Sequence, residues 1–212
     1  MFQALLICGI LSPLCYVATD IIASATYPGY SYTDQAISEL FAIGAPTSRL
    51  VVPLFTVSSL LIAAFGAGVW ALSQQSWARR LMPSMIWANA ADSLILWNFF
   101  PMHMRGVPPT FTDIMHALLA INPFVLMTLA LGAVAFKNWF RFYSVATILT
   151  VLILAASAFA YIPELQANQP THGLGLAERA GQYAHQLWHA VLAIMLIREQ
   201  RARPARATHG VT

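Results

Sequence analysis

Two short stretches of the chain place metal-binding side-chain types at helical spacing. In "DIMH", Asp113 and His116 are three residues apart, and in "HQLWH", His185 and His189 are four residues apart. Residues at these spacings share one face of an α helix. Imidazole nitrogens and carboxylate oxygens are common zinc ligands. The pattern therefore predicts that these four residues meet as a divalent-metal site, with zinc as the metal it would suit.

Each half of this pattern has a structural interpretation as well. Thr112 and Asp113 stand where helix N-caps favour Ser, Thr, Asp or Asn, so Asp113 could simply begin a helix. The His185–His189 pair could hydrogen-bond between helices without any metal, as polar groups in membrane bundles do. The pair also lacks the flanking glutamate of an HExxH metalloprotease motif. The sequence leaves the metal site and the structural role open.

Composition determines which elements must position these residues. The chain has 212 residues, of which 58% are hydrophobic and only 9% are charged. A soluble domain has roughly 25% charged residues, and a membrane span takes about 20 apolar residues in a helix. We therefore predict an all-α polytopic membrane protein, a six-transmembrane-helix bundle. The predicted spans cover residues of about 3–25, 50–72, 81–100, 114–136, 142–162 and 180–197.

These spans make residues 1–197 one transmembrane domain and leave residues 198–212 as a basic cytoplasmic tail. The basic residues predict the orientation, because Lys and Arg concentrate on the cytoplasmic side of membrane proteins. The residues that fall on one side are Arg79, Arg80, Lys137, Arg141, Arg198, Arg201, Arg203 and Arg206. Both termini are then cytoplasmic, in a multi-pass protein of the plasma (inner) membrane. No basic stripe interleaved with aromatic residues is present, so a nucleic-acid partner is not expected.

Depth within the spans suggests how ionisable residues pair. By the helical rise, Asp92 and His189 lie at similar depths of roughly 12 to 14 Å. An intramembrane carboxylate is costly unless it faces the bundle interior and finds a partner. We therefore expect the last span to lie against the third or fourth, with His185 near His116 and His189 near Asp92.

Several motifs carry a family resemblance over nearly the whole chain. They are "LSP", "YPGYS…ISEL…GAP", "FPMHMRG…TDIMH" and "GLAERAGQYAHQLW". This pattern resembles the DUF998 family of bacterial and archaeal membrane proteins, which is similar in turn to the six-span Frag1/DRAM/Sfk1 group. The resemblance supplies no established activity. It implies importance for Ser38, Glu39, Pro101, His103, Arg105, Gly106, Asp113, His116, Glu178, Arg179 and Trp188, but it does not call for histidines at 185 and 189.

Two functions compete at this stage. The first is a metal-dependent intramembrane enzyme, a lipid-active hydrolase, with an outward-facing cavity for a lipid or isoprenoid-like ligand. Its predicted catalytic residues are Glu39, Asp92, Asp113 and His103, and its predicted substrate-binding residues are Arg105, Arg179, Glu178, Ser38 and Trp188. The second is a non-catalytic protein that binds a membrane lipid or a partner. Its loop charges would form architectural pairs, Arg105 with Asp113 and Glu178 with Arg179 or Arg49. The sequence is compatible with a homo-oligomer in both cases.

Overall fold

The computed structural model describes residues 2–73 and 76–202, and this part of the chain is all-helical. Its long helices are α1 (Phe2–Thr26), α2 (Ser48–Ala71), α3 (Trp77–Phe99), α4 (Phe111–Ile121), α5 (Pro123–Ala135), α6 (Trp139–Phe159) and α8 (Leu174–Ala202). A 3-10 helix, Ile37–Phe41, and the short helix α7, Ile162–Gln166, lie in the connections. Every predicted span falls on one or two of these helices.

Capping residues begin several of the helices. Ser76 accepts a hydrogen bond from the Arg79 backbone N–H at 3.3 Å at the start of α3, and Asn138 does the same for Phe140 at 3.1 Å at the start of α6. Such side chains satisfy backbone donors that have no partner within the helix. The last helix, α8, is longer than predicted and runs through residues 198–202 of the expected basic tail. Residues 203–212 lie outside the described part of the chain.

The helix predicted at 114–136 is broken in the middle. Asn122 has a φ of 36° in the left-handed region, and it ends α4 just before Pro123 begins α5. Proline has no backbone N–H and disfavours helical geometry in the residue before it. Asparagine is among the residues that adopt the left-handed region most readily. The prediction of one continuous helix was therefore wrong at this point.

Four helical segments of the described chain are long and apolar enough to cross a membrane. They are Phe2–Thr26, Ser48–Ala71, Phe111–Ala135 and Trp139–Phe159. This makes the chain an integral membrane protein. Helices α3 and α8 are as long, but they carry buried ionisable residues, among them Asp92, Arg179, His185 and His189.

The six longest helical segments form a closed ring in which each helix packs against the next. The neighbouring pairs are α1–α2, α2–α3, α3–α5, α5–α6, α6–α8 and α8–α1. Helices α1 and α2 approach closely, because Ser12 Oγ donates to the Ser58 carbonyl at 2.8 Å and Ser58 Oγ donates to the Ser12 carbonyl at 3.1 Å. Small residues permit such approach in membrane bundles. The expectation that the last span lies mainly against the third or fourth was wrong, since α8 packs chiefly on α1 and α6.

The two ends of the ring differ. At one end, Arg79 pairs with Glu199 at 3.3 Å and lies 4.4 Å from the centre of the Phe136 ring. At the other end, the connections 27–47, 100–110 and 160–173 fold together, and we call them the cap. The Ile43 N–H donates to the Met102 carbonyl at 2.8 Å, which joins the first connection to the second. Thr171 Oγ1 donates to the Asp34 carbonyl at 2.6 Å, which joins the third to the first.

Candidate functional site

The ring surrounds a partly open cavity of about 610 Å³ beneath the cap. This volume lies within the range of roughly 300–1,000 Å³ that is typical of small-molecule sites. Every helix of the ring contributes to its lining. The walls are largely apolar, with Phe55, Ile62, Leu96, Leu126 and Val151 among the lining residues.

Glu39 lies in the 3-10 helix and is fully buried. Arg105 donates to it twice, from Nε to Oε2 at 2.9 Å and from Nη2 to Oε1 at 2.6 Å. The Ala36 N–H and the Gln35 side-chain amide donate to the same carboxylate at 2.9 and 3.0 Å. The expected pair of Arg105 with Asp113 is therefore replaced by a pair with Glu39. This salt bridge joins two connections of the cap.

Asp113 serves mainly to begin α4 and to hold the second connection. Its carboxylate accepts the Thr110 N–H at 2.7 Å and the His103 N–H at 2.7 Å. The His103 ring lies against it as well, with Nδ1 to Oδ2 at 2.9 Å. Both residues line the cavity. Thr110, not Thr112 or Asp113, is the N-cap of α4, and Asp113 is its third helical residue, whose side chain completes a capping box.

Arg179 is buried in α8 and holds the cap to the ring. Its Nε and Nη2 donate to Asp20 Oδ2 and Oδ1, each at 2.9 Å, in a bidentate pair. Nη2 also donates to the Tyr30 hydroxyl at 2.6 Å, and Nη1 donates to the Tyr32 and Gln35 carbonyls at 2.7 and 3.0 Å. Tyr183 donates a short hydrogen bond to Asp20. These contacts occupy the guanidinium donors, so none is left to hold a headgroup.

The other predicted binding residues divide into two groups. Ser38 and Glu178 line the cavity near the cap, and Glu178 accepts the Ile37 N–H at 2.9 Å. This bond, rather than a pair with Arg49, is the contact that Glu178 makes with the cap. Trp188 packs into the core instead, with Nε1 donating to Ser144 Oγ at 2.9 Å and its ring 5.3 Å from that of Phe140.

The predicted metal ligands do not converge. Within residues 2–73 and 76–202, no group of three or more His, Cys, Asp or Glu side chains is placed to hold a metal ion. Asp113 is bound into the cap, and His116 Nδ1 lies 2.8 Å from the Phe100 carbonyl. Only His185 and His189 stay together, with ring centres 4.5 Å apart. The spacing predicted shared helix faces correctly, but α8 does not pack chiefly on the helix that carries His116.

Six residues that line the cavity have buried polar atoms without partners in the described chain. Two of them are Trp97 at Nε1 and Asn122 at Oδ1, and the other four are Asp92 at Oδ2, His185 at Nε2, Gln186 at Oε1 and His189 at both ring nitrogens. We call Asp92, His185, Gln186 and His189 the deep polar group. All four line the cavity and are buried. Leaving a buried polar group unsatisfied costs about 1–3 kcal/mol, so this arrangement suits a site that a ligand or water completes.

Sequence reasoning missed two members of this neighbourhood. Gln186 lies one residue after His185 and one turn after Gln182, and both glutamines line the cavity beside the histidines. The signal was present as polar residues recurring on one face of the last helix. Asn122 was missed because its role follows from the break between α4 and α5. Its Oδ1 is also buried without a partner.

Asp34, a carboxylate of the cap, has a lowered pKa. The Gly173 N–H donates to Asp34 Oδ1 at 3.0 Å, and Ser31 Oγ donates to Oδ2 at 2.8 Å. These bonds, the Gly173 bond first, hold the pKa of Asp34 below its ordinary value because they stabilise the ionised carboxylate. Asp34 therefore joins the first and third connections as a charged group.

Comparison with known proteins assigns the family. A family model described as "Protein of unknown function (DUF998)" matches residues 10–195. Neither the curated proteins nor the solved structures give a match to the chain. The match spans most of the chain, which therefore belongs to this family. The similarity to the Frag1/DRAM/Sfk1 group stays a prediction.

Proposed function

We propose that this DUF998 protein binds one amphiphilic molecule, a lipid or isoprenoid-like compound, inside its helical ring. The apolar chain of the ligand lies along the cavity walls, and its polar end reaches the deep polar group. One observation carries the proposal. A largely apolar cavity of about 610 Å³ contains buried polar atoms that nothing in the described chain satisfies.

The proposed topology has six spans. Helices α3 and α8 are more polar than the other four segments, yet Asp92, His185 and His189 are buried and line the cavity. Ionisable residues in membrane helices are tolerated where they face the bundle interior. Arg79 and Arg80 begin α3 at the end opposite the cap, and the positive-inside rule makes that end cytoplasmic. The cap would then face outward from the plasma membrane.

Binding is a better account of the site than metal-dependent hydrolysis. Glu39 and Asp113, two of the predicted catalytic carboxylates, have their oxygens taken by Arg105, His103 and backbone donors. A general base must be able to reach the proton that it removes. If Glu39 left its contacts, the guanidinium of Arg105 would lose its charged partner. If Asp113 left its contacts, the first turn of α4 would lose its capping bonds. These pairs support an architectural role for the loop charges, although their partners differ from the expected Arg105–Asp113 and Glu178–Arg179 or Glu178–Arg49.

The ligand is proposed to enter sideways from the membrane, between α4 and α6. Within the described residues, α4 packs closely against α3, and α6 packs closely against α5 and α8. Ala117 and Ala120 of α4 and Ala155 of α6 line the cavity at this place. Small apolar side chains leave room for a hydrocarbon chain to pass.

The test compares two substitutions on α6 with the same change of size. Ala155 lines the cavity, whereas Ala146 is exposed on the outside of the helix. Purified full-length protein in detergent is incubated with a radiolabelled hexadecyl amphiphile, and the retained label is measured against its concentration. We expect saturable binding of one molecule per chain, which Ala155→Phe weakens about tenfold, or about 1.4 kcal/mol, and Ala146→Phe leaves unchanged. Equal binding by both variants, or binding that never saturates, would refute the proposal.

A further inference from the structure

The break between α4 and α5 lies at the cavity, midway along a candidate membrane span. Irregular backbone at membrane depth is tolerated where it is buried in protein or lines a cavity. Asn122 Nδ2 donates to Asn89 Oδ1 at 2.8 Å, which fixes the amide beside α3. The Oδ1 atom of Asn122 is then left buried and without a partner, and the residue lines the cavity.

The same face of α3 carries the unpartnered carboxylate. Asp92 follows Asn89 by three residues, so the two side chains are neighbours along the helix. Asp92 is only 9% exposed, and its Oδ2 has no hydrogen-bond partner in the described chain. Asn122 therefore contacts α3 about one helical turn before Asp92. Gln186 presents a third unpartnered oxygen, Oε1, to the same cavity from α8.

The unpartnered oxygens share one chemistry, because amide carbonyls and an ionised carboxylate accept hydrogen bonds and do not donate them. The charged side chains that line the cavity are Asp92, Arg105, Asp113 and Glu178. Arg105 is paired with Glu39, Asp113 is paired with His103, and Glu178 accepts the Ile37 N–H. Asp92 is thus the carboxylate with an unpartnered oxygen, and among the described lining residues no lysine or arginine is left over for an anionic headgroup.

We propose that the ligand of this cavity carries a protonated amine, which is held by Asp92 with the Asn122 and Gln186 side-chain oxygens as further acceptors. A primary ammonium group has three N–H donors and no acceptor, so it complements these oxygens. Hydrogen bonds to an ionised group are stronger than neutral ones, and an intramembrane carboxylate gains most from such a partner. This inference rests on the proposed binding function and names the class of headgroup.

The test uses two competitors with the same chain, dodecylamine and dodecanol. An alkylamine is protonated at neutral pH, as the lysine side chain is. Each competitor displaces the radiolabelled hexadecyl amphiphile from the purified full-length protein in the same detergent. Because both share one hydrocarbon tail, the ratio of their displacing concentrations reports the headgroup. For the wild-type protein, we expect dodecylamine to displace at a concentration about tenfold lower than dodecanol.

Three variants test whether the ratio of displacing concentrations depends on the proposed acceptors. Asp92→Asn removes the charge at constant size and should weaken displacement by dodecylamine much more than displacement by dodecanol, so that the preference for the amine is lost. Asn122→Gly removes one acceptor and keeps a residue that tolerates positive φ, so it should reduce the preference for the amine. If Asp92→Asn does not fold, the ratio measured for Asn122→Gly tests the amine inference. Asp34→Asn removes a carboxylate of the cap, outside the cavity lining, and should keep the wild-type ratio.

The outcomes separate this inference from the proposed function. Equal displacement by both competitors in the wild type, or a ratio that Asp92→Asn and Asn122→Gly leave unchanged, overturns the amine inference while the binding function stands. Displacement by neither competitor overturns the binding function, and the amine inference fails with it.

Discussion

The guanidinium of Arg179 donates two parallel hydrogen bonds to the carboxylate of Asp20, from Nε to Oδ2 and from Nη2 to Oδ1, each 2.9 Å long. Both side chains are almost completely buried. Asp20 belongs to the first helix of the chain and Arg179 to the last, so this pair closes the ring. Tyr30 and the carbonyls of the cap occupy the remaining guanidinium donors. The pair thereby links closure of the ring to the fold of the cap.

Substitution of Arg179 should therefore lower the stability of the protein even when no ligand is bound. Arg179→Lys keeps the charge but loses the bidentate fork and several carbonyl contacts. Loss of a hydrogen bond to a charged group costs about 1.5–3 kcal/mol, so we expect a destabilisation of at least this size. The measurement is thermal unfolding in detergent, with the exposed Arg49→Lys as control. A melting temperature of Arg179→Lys equal to that of Arg49→Lys would contradict the role of Arg179 as a structural lock.

The Arg105–Glu39 salt bridge should behave as one unit. Arg105→Gln leaves a buried carboxylate without its charged partner, and Glu39→Gln leaves the guanidinium without its charged acceptor. Once one partner is gone, removal of the other should cost little, so the coupling energy should be about 0.5–3 kcal/mol. A double-mutant cycle by chemical denaturation measures this coupling. Strict additivity of the two single effects would show that the bridge does not hold the cap together.

A glycine in α5 should be indispensable for helix packing. A Cβ added at Gly132 would overlap the buried ring of Trp188, whose Nε1 is held by Ser144. Alanine in a helix is usually about 1 kcal/mol more favourable than glycine, but overpacking of a core costs about 1–3 kcal/mol. We expect Gly132→Ala to lower the free energy of unfolding.

Gly181→Ala is the matched control for this substitution. A Cβ at Gly181 would meet Leu154 at 3.5 Å, an ordinary contact distance. This variant should be as stable as the wild type or more stable. Equal stabilisation by alanine at both glycines would mean that the ring of Trp188 does not lie against Gly132.

Asp34 should make the stability of the cap depend on acid. Hydrogen bonds from Gly173 and Ser31 lower the pKa of the folded carboxyl below its unfolded value of about 4. The stabilisation is therefore complete above about pH 4 and is lost as the pH falls through the folded pKa. We expect the melting temperature of the wild type to exceed that of Asp34→Asn near neutral pH, with a difference that shrinks in acid. A difference that grows as the pH falls would contradict the assignment.

Much of the fold could be predicted from residue types alone. Long apolar runs between punctuated connections gave the positions of the long helices, because their lengths and compositions suit membrane helices. The break at Asn122 was not predicted. The residues on both sides are apolar, and the significance of Asn122 before Pro123 depends on backbone geometry that hydropathy does not register.

The candidate site was harder to predict, for a physical reason. Helical spacing shows which side chains share a face, as for His185 and His189, but not which helix that face meets. Arg105 was expected to pair with Asp113, which is near it in sequence, but the folding of the connections places it against Glu39 instead. The cavity itself arises from the closure of a ring by α1 and α8, a long-range contact that no local pattern encodes.

Photo-crosslinking tests the central claim most directly, because it reports where an amphiphile lies in the protein. A hexadecyl amphiphile with a diazirine in its chain is bound to the wild-type protein, irradiated, and its adducts are located by peptide mass spectrometry. The binding proposal predicts adducts on cavity residues such as Ser59, Leu126 and Val151, all suppressed by excess unlabelled hexadecyl amphiphile. Adducts confined to outward-facing residues such as Leu14 and Phe142, and not suppressed by that excess, would contradict it.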